Sequence, residues 1–124
     1  MKLRYVFATF ILFIMIFLPW ITRADVPLSE NGVKTIHLDE YNGYFAARET
    51  LVDLKAGTYD FVITNKADKL VGFWLQDAKS KAFLDKFPLE PGEQRTARVT
   101  LTENGFRYCC PINPTPWYEV GVSP

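Results

Sequence analysis

Two adjacent cysteines are the residues of this chain best suited to chemistry. Cys109 and Cys110 are its only cysteines, and they end a segment, 105–110, in which a glycine is followed by alternating aromatic residues. Two thiolates suit a soft ion such as Cu(I). Because neighbouring side chains on a strand point to opposite faces, binding by both requires the strand to end and twist at Pro111. The alternatives are a buried free thiol beside a surface thiol, and a disulfide between neighbours.

The single histidine of the chain is a weaker candidate for a metal site. His37 and Asp39 fall on one face of a predicted strand, with Tyr41 beyond them. An imidazole and a carboxylate can share a metal ion. A solvated histidine–acid pair is the alternative, and Asp39 with Glu40 predicts a wet strand edge that discourages pairing with other sheets.

The loop after the cysteines is a candidate surface for a protein partner. Three prolines stiffen residues 111–118, and a stiff loop binds at a lower entropic cost. Aromatic residues are favoured in protein contacts. We therefore expect a periplasmic or membrane protein partner to meet Trp117, Tyr118, Trp74 and Asn113. Ordinary core and rim packing of these aromatic residues is the alternative.

Catalysis has little support in the sequence. One histidine leaves few routes to acid–base chemistry near neutral pH. No Ser/His/Asp set, paired-carboxylate motif or phosphate-binding glycine loop is recognisable. We expect a protein that is not an enzyme, with thiol redox chemistry at Cys109 and Cys110 as a remote alternative.

The N-terminus predicts export. Lys2 and Arg4 precede an apolar run, and Ala24 offers a small residue before a cleavage point. Residues 1–24 are therefore expected to be a signal peptide, with an uncleaved membrane anchor as the alternative. Residues 25–124 form one domain, expected in the periplasm or another extracytoplasmic compartment. This domain carries eleven basic and fourteen acidic residues, a formal charge of −3, so no nucleic-acid partner is expected.

The exported domain reads as an all-β protein. Short alternating segments recur about every ten residues with turn residues between them, which is typical of an antiparallel sandwich. The clearest segments are 33–39, 59–65, 70–76, 95–102, 106–110 and 118–122. Residues 77–87 are the one candidate for a helix, through an apolar stripe of Ala78, Ala82 and Phe83. An irregular excursion is the alternative there.

Three motifs in order resemble the cupredoxin-like family, the Greek-key β-sandwich of blue copper proteins. They are a turn and strand ending in asparagine (54–65), a Pro-Gly turn (89–93) and the glycine–aromatic–cysteine segment (105–110). The resemblance implies a sandwich with at most one short helix. It places Cys110 at the position of the copper-binding cysteine.

The remaining copper ligands implied by the resemblance are absent. The two histidine positions fall near 70–72 and at Asn113, and the methionine position near Trp117 or Tyr118. A type 1 copper site needs two imidazoles beside the thiolate, so it cannot form here. We therefore expect a cupredoxin-like protein that handles copper, or another soft ion, through Cys109 and Cys110 without a type 1 centre. A metal-free interaction module using residues 111–118 is the competing hypothesis.

Overall fold

The computed structural model describes residues 32–113 and 115–124, and this part of the chain contains strands and turns but no helix. The strands are β1 (Lys34–Tyr41), β2 (Tyr44–Ala47), β3 (Leu54–Lys55), β4 (Gly57–Asn65), β5 (Val71–Asp77), β6 (Phe83–Leu89), β7 (Gln94–Leu101), β8 (Phe106–Cys109), β9 (Tyr118–Val120) and β10 (Val122–Ser123). The predicted signal peptide lies outside the described residues. Within them, no helix is long and apolar enough to cross a membrane.

Two four-stranded sheets build the domain, and the expected all-β sandwich is confirmed. The first sheet has the strand order β2-β1-β4-β7, and the second has the order β6-β5-β8-β9. A short β3–β10 pair adds a third, two-stranded sheet. Most neighbours are antiparallel, but β1 runs parallel to β4 and β3 runs parallel to β10.

The core lies between the two larger sheets and follows the predicted alternation. Strands β1, β4 and β7 bury every second side chain, because successive residues face opposite sides of a sheet. With the alternating residues at 106–110, these strands supply much of the core, which includes Ile36, Leu38, Tyr59, Phe61, Ile63, Ala97, Val99, Leu101, Phe106, Tyr108 and Cys110.

The candidate helix at 77–87 is wrong, and its open alternative, an irregular excursion, describes only the first part. The Asp77 carboxylate accepts hydrogen bonds from the backbone N–H groups of Lys79 and Ser80, which fixes a tight turn. Lys81 then takes a positive φ of 65°, which stops any helix. The chain returns as β6, paired antiparallel with β5. Local side-chain hydrogen bonding therefore overrides the apolar spacing.

The turn between β1 and β2 brings one end of the first sheet to the cysteine loop. Tyr41 pairs with Tyr44 across a two-residue connection, in which Asn42 and Gly43 have φ values of 54° and 105°. Tight hairpins of this kind need positive φ at both central residues, and Asn-Gly satisfies that need. The predicted turn at 41–44 is therefore confirmed.

Candidate functional site

The two cysteines face opposite sides of the second sheet. Cys110 lies in the core with Phe106 and Tyr108 and is 0% exposed. Cys109 pairs in register with Trp74 and therefore shares the outer face of the sheet with it. Both are free thiols, and both are buried. The alternative of a buried thiol beside a surface thiol is therefore right for Cys110 and wrong for Cys109, which is 5% exposed.

The surroundings of Cys109 disfavour its thiolate form. Burial raises the pKa of Cys109 to about 11, with Cys110 and Glu40 adding to the rise and the nearby Arg107 guanidinium opposing it. Since the thiolate is the nucleophile and the metal ligand, Cys109 is a poor candidate for either role at neutral pH.

Glu40 is the residue that sequence reasoning missed. It follows Ile36 and Leu38 on the inward face of β1 and is 0% exposed. Neither carboxylate oxygen accepts a hydrogen bond of normal geometry from any described residue. Burial raises the pKa of Glu40 to about 7, while a hydrogen-bonding interaction with the neighbouring Cys110 thiol, outside normal hydrogen-bond geometry, acts to lower it. The wet edge predicted at Glu40 is therefore wrong, and the β1 alternation was the signal that could have shown it.

Asn65 is the strand neighbour of Glu40, but its side-chain amide does not donate a hydrogen bond to the Glu40 carboxylate. Asn65 pairs with Glu40 across the parallel β1–β4 ladder. Its Nδ2 donates to the backbone carbonyls of Lys69 and Leu89, at 2.8 and 3.0 Å, and its Oδ1 accepts from the Ala67 N–H at 2.8 Å. Because its donors are used within these turns, the carboxylate stays without a partner.

Three hydrogen bonds tie the cysteine loop to the β1–β2 hairpin, and we call them the clasp. Asn113 Nδ2 donates to the Asn42 carbonyl at 2.7 Å, and Thr115 Oγ1 donates to the Gly43 carbonyl at 2.8 Å. The hydroxyl of Tyr118 accepts from the Phe45 N–H at 3.1 Å. Cys110 stands three residues before Asn113, and Glu40 stands two before Asn42. The clasp therefore joins the chain segments that carry the buried thiol and the buried acid.

Two glycines let this loop approach closely. A Cβ on Gly43 would lie 2.8 Å from the Asn113 carbonyl oxygen, and a Cβ on Gly72 would lie 3.0 Å from Pro111. The first distance is shorter than real Cβ contacts allow, and the second is tighter than nearly all of them. Pro111 and Asn113 therefore pack directly against the backbone of Gly72 and Gly43, respectively.

The predicted partner-binding residues divide into two groups. Trp74 and Trp117 stack at 6.3 Å on the outer face, and the Arg107 guanidinium lies 3.8 Å from the Trp117 ring centre. Tyr118 instead stacks on Tyr108 at 5.0 Å, and Asn113 belongs to the clasp. An open groove of about 390 Å³ lies next to the tryptophan pair, lined by Gly72, Trp74, Lys86, Phe87, Pro88, Pro111 and Ile112.

His37 is engaged in a side-chain pair away from the cysteines. Its Nδ1 lies 2.6 Å from the Glu49 carboxylate, while Asp39 is bonded to Arg48. Across residues 32–113 and 115–124, no three His, Cys, Asp or Glu side chains are close enough to hold a metal ion. The candidate metal ligands are therefore only a pair, Cys110 and Glu40, and Cys109 lies on the opposite face of the sheet.

No protein-family model matches the chain, and no curated protein matches it.

Proposed function

We propose that this chain is an exported, non-enzymatic, cupredoxin-like protein that handles copper through its cysteine loop without a type 1 centre. The observation that carries the proposal is the fully buried Cys110 thiol beside the fully buried, unbonded Glu40 carboxyl. The resemblance to cupredoxins assigns the copper thiolate to Cys110, and that side chain lies on the inner face where β8 ends.

The environment of Cys110 suits capture of an ion rather than open thiol chemistry. Core side chains surround it, and the clasp holds the following loop against the first sheet. A dry, shaped surrounding strengthens the attraction between a thiolate and a cation. Export brings the site to extracytoplasmic copper, and a purified chain beginning at Asp25 would support this part.

The test is a titration of the reduced exported domain with Cu(I) against a competing chelator. Cys110→Ser and Cys109→Ser form a matched pair, because they make the same atomic change on opposite faces of one strand. We expect Cys110→Ser to lose binding and Cys109→Ser to keep most of it. Binding by the double variant as tight as that of the wild type would refute the metal function.

The metal-free interaction module is a second candidate. It is supported by the outer groove beside Trp74 and by Ile112, which is 51% exposed at its rim. Crosslinking of the exported domain in its own compartment tests it. The module predicts a single crosslinked protein that Trp74→Ala abolishes and Cys110→Ser retains. Crosslinks that survive Trp74→Ala would remove this candidate.

A further inference from the structure

We propose that Glu40 and Cys110 together form a site for one divalent transition-metal ion of borderline softness, such as Zn(II) or Cu(II). This inference rests on the proposed function and names the donor that the sequence did not show. Glu40 reaches the site from β1 in the first sheet, and Cys110 reaches it from the end of β8 in the second. The two sheets therefore each supply one ligand.

The unbonded carboxylate is the observation that points to a ligand. A buried polar group normally has a hydrogen-bond partner, and a buried charge is normally paired or bound to a metal. Both Glu40 oxygens lack a partner in the described part of the chain, and the nearby Asn65 amide is already engaged. A metal ion beside Cys110 would supply the missing partner for both oxygens.

Charge favours a divalent ion at this pair. A Cys110 thiolate and a Glu40 carboxylate carry two negative charges, which one divalent cation neutralises. With Cu(I), the site is neutral only if Glu40 keeps its proton, so that the Cys110 thiolate alone binds the ion. Since uncompensated charge is costly in a core, the pair should prefer a divalent ion to Cu(I).

The donor chemistry agrees with this preference. Thiolate ligands select soft and borderline ions, and carboxylates extend the range towards harder divalent ions. A mixed pair therefore suits Zn(II) and Cu(II) better than it suits Mg(II) or Ca(II), which take oxygen ligands alone.

Entry to the site requires the cysteine loop to move. Glu40 and Cys110 are both 0% exposed, so an ion cannot reach them in the closed structure. The clasp bonds from Asn113 and Thr115 are side chain to backbone, and the Asn113 bond is exposed to solvent. Such bonds can open without unfolding the sheets. Asn113→Ala should therefore speed Zn(II) uptake while leaving the number of ions bound unchanged.

The test compares Zn(II) and Cu(I) binding by the reduced, full exported domain. We expect one Zn(II) per chain. Glu40→Gln should weaken Zn(II) binding by at least about tenfold, yet leave Cu(I) affinity within about twofold. Glu103→Gln, the same change at an exposed turn residue, should change neither.

The outcomes separate this inference from the proposed function. If Cys110→Ser abolishes binding while Glu40→Gln binds Zn(II) like the wild type, the carboxylate is not a ligand, and the copper function stands. If both variants bind both ions like the wild type, both ideas fail. Should either variant not fold, X-ray absorption of the Zn(II)-loaded wild type decides. One sulfur neighbour with oxygen neighbours supports the pair, whereas a shell without sulfur, or with two sulfurs, overturns it.

Discussion

The two faces of β8 place neighbouring thiols in contrasting surroundings. On the inner face, Cys110 lies among core side chains beside an acid with no hydrogen-bond partner of normal geometry in the described part of the chain. On the outer face, Cys109 lies beside Trp74, near the Arg107–Trp117 contact. The inner face holds a buried carboxylate that no described residue hydrogen-bonds with normal geometry. The outer face is an ordinary cluster of packed aromatic side chains. Adjacency in sequence therefore says little about shared chemistry when the backbone is extended.

The largest expected effect comes from replacing Glu40, the buried acid beside Cys110. The pKa of Glu40 is raised from an ordinary 4.5 to about 7, so the folded chain holds this proton more tightly than the unfolded chain. The associated stability is present below pH 4.5 and is lost as the pH rises through 7, roughly 3 kcal/mol in all. Glu40→Leu should remove this dependence and make the metal-free chain more stable at pH 8.

Chemical denaturation at pH 5 and pH 8 checks this prediction as a difference between wild type and Glu40→Leu. Taking the difference cancels the other titrating groups, including Asp39 and Asp77, whose pKa values are lowered by hydrogen bonds. The thiol of Cys109, with its pKa near 11, titrates above this range. An equal change in the free energy of unfolding for both proteins would show that Glu40 is not a strained buried acid.

The next effect concerns the close contact between Gly43 and Asn113, in the loop that follows Cys110. Gly43→Ala adds a Cβ 2.8 Å from the Asn113 carbonyl oxygen, at a φ of 105°. Gly92→Ala is the matched control, because its φ of 80° is also positive but no atom lies within 4 Å of the new Cβ. We expect Gly43→Ala to cost about 2 kcal/mol more than Gly92→Ala in urea unfolding. Equal costs would mean that the loop does not pack closely there.

A smaller effect isolates one bond of the clasp. Thr115→Val keeps the side-chain shape and removes the hydrogen bond to the Gly43 carbonyl. The loss should be about 1 kcal/mol in thermal or urea unfolding. Thr100→Val, an exposed threonine on β7, serves as the control and should be nearly neutral. A loss at Thr100 as large as that at Thr115 would assign the effect to the residue change rather than to the clasp.

The smallest effect breaks the outer face. Trp117→Ala removes the ring that stacks on Trp74 and on the Arg107 guanidinium. Cys109 should then react several-fold faster with iodoacetamide, because the burial that raises its pKa is partly relieved. Cys110 should keep its wild-type rate. Mass spectrometry of the alkylated peptide separates the two thiols, and equal acceleration of both would show that the faces are not independent.

The sequence predicted the architecture well where period-two alternation is strong. The inward faces of β4 and β7 and the turns at Asn42-Gly43 and Pro91-Gly92 follow from side-chain alternation and local turn chemistry. The segment at 77–87 failed because the Asp77 carboxylate stabilises a turn that apolar spacing does not reveal. The expected signal peptide and export remain predictions.

The candidate site was only half predictable. Cys110 could be placed on the inner face from the aromatic alternation before it, and the resemblance implied a metal there. Glu40 was not assigned to it, because a charged residue near a strand end is ordinarily exposed. The alternation of β1 places Glu40 on the inward face, but its neighbour Asn65 comes from the parallel β1–β4 pairing. That pairing joins segments far apart in the sequence.

Anomalous diffraction at the zinc edge, on crystals of residues 25–124 in the reduced form grown with Zn(II), tests the Glu40–Cys110 site most directly. We expect one strong peak between the Cys110 Sγ and the Glu40 carboxylate, with Cys109 still facing Trp74. A peak at His37 and Glu49, a peak bridging Cys109 and Cys110 without Glu40, or no bound zinc would contradict it.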